Sequence, residues 1–94
     1  MSYLLITHTV RDYAKWKPVF DQHGTTRKSA GCRSAQVFQD AQDPNKVTVL
    51  MEWDSANNAR KFTESTDLRQ IMEKAGVVGK PEVRFLGNGE RQSA

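Results

Sequence analysis

Two histidines, one arginine and a set of aromatic residues carry the chemistry open to this chain. His23 and Arg27 stand four residues apart, one helical turn, on the stripe that also holds Tyr13, Trp16 and Phe20. A cation on such a stripe is costly unless it is paired or hydrogen-bonded. There, an imidazole serves as a base near neutral pH and a guanidinium holds an enolate or phenolate oxygen. The plain alternative is structural: Arg27 pairs with Glu52 or a backbone carbonyl, and His23 lies at the helix border. His8 shares a strand face with Leu4, Ile6 and Val10, and reads either as a hydrogen-bonded core residue or as a second base. Strand and helix are neighbours in the chain, so His8 and His23 can meet across their interface. Tyr13, Trp16, Phe20 and Trp53 offer a stacking wall for a flat ligand, or ordinary core packing. Glu52 is either the partner of Arg27 or an acid in the same cavity.

Other chemistries are excluded more firmly. With one cysteine, Cys32, there is no intrachain disulfide and no zinc-type Cys/His spacing. Cys32 follows Gly31 at a helix exit without the basic neighbours that would make it a nucleophile. Two histidines without well-spaced carboxylates do not make a metal site. The segment 76–79 has no phosphate-binding fingerprint. The net charge of +3 is uneven, because residues 11–33 hold six basic and two acidic side chains. That segment reads as a solvated helix face, with attraction of an anionic ligand as the alternative. No nucleic-acid module is present, with basic residues and stacking aromatics at the required spacing. No apolar run reaches the length of about 18 residues that suits a membrane span, and the N-terminus lacks a secretory pattern. A reduced, cytoplasmic protein is expected.

The elements that must position these residues follow from period and punctuation. Ninety-four residues, 37% hydrophobic and 27% charged, make one small domain with a thin core. Residues 3–10 alternate as a strand with apolar groups on both faces, hence a central strand. Residues 12–30 are helical, with Asp12 as N-cap and Gly31 as the stop. Pro18 belongs in a first turn, so a short opening turn at 12–16 and a continuous helix from residue 17 are predicted. Residues 33–39 and 46–53 form a hairpin around the turn-rich loop 40–45. A helix capped by Asp54 or Ser55 ends near 65–67, and a new register, Leu68, Ile71, Met72 and Ala75, starts a second short helix. Residues 82–86 make the last strand, and the polar tail 88–94 frays, leaving an ordered core of about 3–87. The order β-α-β-β-α-β is the ferredoxin-like α+β arrangement, an antiparallel sheet with its helices on one face. Its other face is apolar in the first and third strands, which predicts a homodimer packed sheet to sheet.

The stretches HTVRDYAKWKPVFD (residues 8–21), EWDS (52–55), STDLR (65–69) and MEKAGV (72–77) resemble the dimeric α+β barrel superfamily. More narrowly, the chain is similar to small bacterial antibiotic biosynthesis monooxygenase-like proteins over residues 3–87. The resemblance implies a dimer in which two sheets close a barrel, each protomer keeping a cavity between its sheet and its helices. It implies three kinds of enzymatic relative: cofactor-independent oxygenases of polycyclic phenols, haem-degrading enzymes and polyketide cyclases. The haem-degrading members tend to carry a histidine in the helix after the third strand, where this chain has Arg60, Lys61 and Phe62. No haem or other cofactor is therefore expected.

Two readings result. In the first, a small aromatic ligand sits in the cavity, His23 or His8 removes a proton, and Arg27 steadies the anion that meets dioxygen. Cyclisation of a polyketide-like compound would use the same cavity. In the second, the protein is a non-catalytic stress-response or interaction module whose cavity is filled by its own side chains.

Overall fold

A computed structural model describes residues 2–93. The elements run β1 (Ser2–Val10), α1 (Tyr13–Gln22), α2 (Gly24–Ala30), β2 (Cys32–Gln39), β3 (Lys46–Trp53), α3 (Ala56–Thr63), α4 (Thr66–Lys74) and β4 (Val77–Leu86). The sheet order is β2-β3-β1-β4, with every neighbouring pair antiparallel. This is the ferredoxin-like arrangement, with each of its two helical legs divided in two. No helix among the described residues is long and apolar enough to cross a membrane.

Leu4 pairs with Met51, Ile6 with Val49 and His8 with Val47, and residues paired across antiparallel strands share a face. These side chains, with Val10 and Trp53, are buried under the helices. The opposite face holds Tyr3, Leu5, Thr7, Leu50 and Glu52, half-buried, together with exposed Phe38 and Leu86. The central position of β1 agrees with its two-sided apolar pattern.

The first helical leg differs from the expectation. Asp12 caps α1, its carboxylate accepting from the Ala14 amide at 3.0 Å, but the helix runs straight through Pro18. Pro18 is exposed, so water can satisfy the Ala14 carbonyl that loses its donor. The interruption falls instead at His23, which ends α1 and precedes α2. Gly24, Thr25 and Thr26 follow, all weak helix formers. The break leaves the Phe20 carbonyl in the last turn of α1, and it accepts from Arg27 Nη1 at 2.8 Å.

The second leg divides where expected. Ser65 Oγ donates to the Phe62 carbonyl at 2.8 Å and accepts from the Leu68 amide at 3.1 Å, closing α3 and opening α4. β4 is longer than the predicted 82–86. Thr7 pairs with Glu82 but Thr9 pairs with Val78, so residues 79–81 bulge opposite His8. Gly79 (φ +73°) and Pro81 read as strand breakers in the sequence, and the bulge accommodates both.

Candidate functional site

Between the sheet and the helices lies a cavity of about 40 Å³. Ile6, His8, Val49 and Met51 form its floor, and Trp16, Phe20, His23 and Arg27 one wall. Phe62 and the α4 residues Leu68, Ile71, Met72 and Ala75 close it. The division of the first leg at His23 turns the wall so that His23 and Arg27 both face inward, and the β1 alternation brings His8 up from below. All three chemistry-bearing residues singled out in the sequence therefore meet at one cavity.

Their environments differ. His8 is 7% exposed, and neither Nδ1 nor Nε2 has a hydrogen-bond partner among the described residues. Its ring meets Trp16 edge to face, 5.5 Å between centroids. Burial lowers its pKa to about 4, because charging the ring here sacrifices its hydration, so His8 is neutral at pH 7. Two unsatisfied buried nitrogens are uncommon in a folded protein, and an imidazole holding them against a cavity offers a donor and an acceptor to whatever enters.

His23 is 6% exposed and its Nε2 lies 2.8 Å from Asp67 Oδ2. A carboxylate at that distance fixes the orientation of the ring. With the proton on Nε2, Nδ1 keeps a free lone pair. Arg27 is 7% exposed, its guanidinium 3.8 Å above the Phe20 ring centroid in a cation–π contact, besides its bond to the Phe20 carbonyl. Burial pulls its pKa below the ordinary value. No carboxylate among the described residues forms an ion pair with it.

The aromatic residues fall into two groups. Trp16 and Phe20 stack at 4.9 Å between centroids and line the cavity. Tyr13 packs on the outer side of Trp16, 5.7 Å away, and does not line it. Trp53 is fully buried behind Phe62, at 5.0 Å, and backs the wall from outside. Glu52 is not brought to the site. It lies on the open face of the sheet, accepting from the Tyr3 hydroxyl at 3.1 Å, because it sits one residue out of phase with Met51 and Trp53. Arg27 thus takes the backbone-carbonyl arrangement rather than the pairing with Glu52.

Asp67, unassigned in the sequence reading, is the residue that changes the chemistry of the site. Its only sequence signal was its place in the break at 65–67, the start of a helix that then had to dock on the first leg.

A family model described as antibiotic biosynthesis monooxygenase matches residues 14–74, from α1 through α4. No curated protein matches the chain. Among solved structures, a Bordetella bronchiseptica protein provisionally described as an antibiotic biosynthesis monooxygenase superposes with a TM-score of 0.80 at 16% identity, covering 95% of this chain and 97% of its own. SnoaB, a cofactor-independent oxygenase from Streptomyces nogalater, gives 0.79 at 11% identity, covering 99% and 97%. Rv0793 from Mycobacterium tuberculosis gives 0.68 at 13% identity, covering 99% and 100%. At these identities the structural likeness is one of fold.

Proposed function

The chain belongs to the antibiotic biosynthesis monooxygenase family, and from that premise we propose that it binds a small electron-rich aromatic compound in its cavity and oxidises it with dioxygen, without a cofactor. The observation that carries this reading is His8: a buried imidazole with both nitrogens free, facing the same space as an arginine that no described carboxylate neutralises. SnoaB, a cofactor-independent oxygenase that shares the fold, supports the reaction class.

The residues divide the work by environment. His23, oriented by Asp67, takes the proton from a phenol or an acidic ring carbon. Arg27 and the neutral His8 donate to the oxygen on which negative charge develops. The carbanion form then adds dioxygen to give a peroxide anion, which takes up the proton held by His23 and becomes a hydroperoxide. Loss of water leaves a ketone. One oxygen atom ends in the product and the other in water; the attacked ring carbon, a CH2 group in the keto tautomer of the phenol, supplies both electron pairs, so no reductant is required. The same proton abstraction without oxygen would serve polyketide-type cyclisation. Anaerobic turnover distinguishes the two.

The size of the cavity favours a second reading. A volume of 40 Å³ takes one or two waters, whereas ligand sites run to about 300 Å³ and more. Binding therefore requires α4 to move off the first leg, with the unbranched Met72 able to adapt. If α4 stays closed, the protein is a non-catalytic module. In either case the apolar open face of the sheet (Leu5, Phe38, Leu50 and Leu86) supports a homodimer.

The experiment is thermal melting against phenols and hydroquinones, followed by oxygen uptake with any compound that binds. A ligand at a hundred times its Kd raises Tm by about 10 °C in a domain this small. Oxygen uptake that His23→Gln abolishes establishes the enzyme. A flat melting response leaves the non-catalytic module.

A further inference from the structure

Arg27 belongs to two spaces. Besides walling the cavity, it lines a surface pocket of about 150 Å³ at the α2–β2 turn, together with Gly24, Lys28, Cys32, Arg33 and Ser34. We propose that this pocket is an anion subsite, and that the ligand of the neighbouring cavity is an aromatic carboxylic acid whose carboxylate it holds. The inference rests on the reading of the cavity as a small-molecule site and specifies the class of molecule.

Three cations face this pocket, and none of them has an ion-pair partner among the described residues. Asp21 attracts Arg27 only from a distance, because Lys17 Nζ holds its carboxylate at 2.7 and 2.9 Å. Of five guanidinium N–H groups, one, on Nη1, donates to a partner among the described residues. The other edge is left bare by Gly24: a Cβ built there would lie 3.4 Å from Arg27 Nη2, in contact with it. The planar fork of a guanidinium suits a carboxylate better than any single-atom acceptor. Lys28 and Arg33, exposed at the rim, add attraction and raise the local concentration of anions. The charge excess of residues 11–33 thus has a structural focus. The pocket is open and lined by cations and polar groups, so it suits a hydrated carboxylate, whereas the apolar lining of the cavity suits the ring. A ring in the cavity would place its acidic substituent across the Arg27 side chain.

The test is amide NMR titration with benzoate and with benzamide, its neutral counterpart, on the wild-type protein and on a Lys28→Ala/Arg33→Ala variant. Both substituted residues are exposed, so the fold is retained. Benzoate is expected to saturate, shifting the amides of Gly24, Lys28 and Ser34 along with those of Ile6 and Met72. Benzamide is expected to bind about tenfold more weakly, the worth of one charge-assisted hydrogen bond. In the double variant, benzoate weakens about fivefold and benzamide is unchanged, as removal of two exposed cations requires. Equal affinities for the two compounds, or a double variant that binds benzoate undiminished, overturn the subsite. If both compounds still shift Ile6 and Met72 in that event, the cavity reading survives. Silence of both compounds overturns the two together.

Discussion

The Nε2 of His23, buried at the cavity wall, lies 2.8 Å from the Oδ2 of Asp67, whose side chain is 60% exposed. One hydrogen bond therefore connects the inside of the cavity with solvent. It also clasps the break between α1 and α2 to the first turn of α4. Because the carboxylate is mostly hydrated, the clasp adds little to stability, while it fixes the orientation in which His23 faces the cavity.

Asp67→Asn separates those roles. The amide keeps the shape of the contact but removes the charge. Urea unfolding is expected to show a loss of less than about 1 kcal/mol. Oxygen uptake on a turned-over phenol is expected to fall at least tenfold. A variant that keeps full turnover removes Asp67 from the mechanism.

His8 makes folding pH-dependent. Its folded pKa of about 4 lies below the usual value of 6.5, so between these pH values the unfolded chain binds the extra proton. Stability is then complete above pH 6.5 and declines as pH falls toward 4, by up to about 3 kcal/mol. His8→Leu, close in volume and free of orphaned nitrogens, is expected to flatten that part of the urea-midpoint profile. An unchanged slope between pH 4 and 6.5 would mean that His8 is hydrated.

Gly31 is expected to resist substitution more than its place in a turn suggests. It ends α2 at φ +116°, and a Cβ there would stand 2.5 Å from Asp54 Oδ1. Gly31→Ala should cost about 2 kcal/mol or more, part backbone strain and part collision. In an Asp54→Ala background the collision disappears, and the cost should drop to about 1 kcal/mol. Equal costs in the two backgrounds would place the whole penalty in the backbone.

Ala75→Val places added methyl groups in the cavity from the end of α4. Filling part of this 40 Å³ space is expected to stabilise by up to about 1 kcal/mol. The same variant should lose any melting response to aromatic ligands. Destabilisation accompanied by full ligand binding would show that the ligand sits elsewhere.

Leu50→Asp puts a charge in the middle of the open face of the sheet. Sedimentation should find the wild type dimeric and this variant monomeric, with the cavity-lining amides in their original positions. A wild type already monomeric at micromolar concentration removes the sheet-to-sheet dimer.

The fold was legible because its signals are local. The alternation of β1, the Leu68/Ile71/Met72/Ala75 register and the turn at 40–45 each span one element, and each fell where the structure has it. Pro18 misled because its cost depends on exposure, which no local pattern reports: on the wet side of α1 the missing amide is harmless. The last strand was cut short because a bulge, visible only in its pairing with β1, absorbs Gly79 and Pro81. At the site, His23 and Arg27 face one cavity, yet the break at His23 and not one continuous helical period turns them inward. The pairing of His23 with Asp67 crosses 44 residues, and nothing near either residue announces it. Glu52 is expected as the partner of Arg27 or as an acid in the cavity, yet a one-residue phase difference puts it on the opposite face of the sheet.

The pairing of β1 governs how this chain comes off the ribosome. β1 is a central strand, and its partners are residues 46–53 and 77–86, both later in the chain. Until these are synthesised, Leu4, Ile6 and His8 have no sheet to join, so β1 stays an unpaired apolar strand over the stretch of chain that separates it from β3. Long-range pairing of this kind slows folding and exposes the strand to aggregation. The alternating threonines Thr7 and Thr9, solvated when unpaired, lower the hydrophobicity of the segment during that interval.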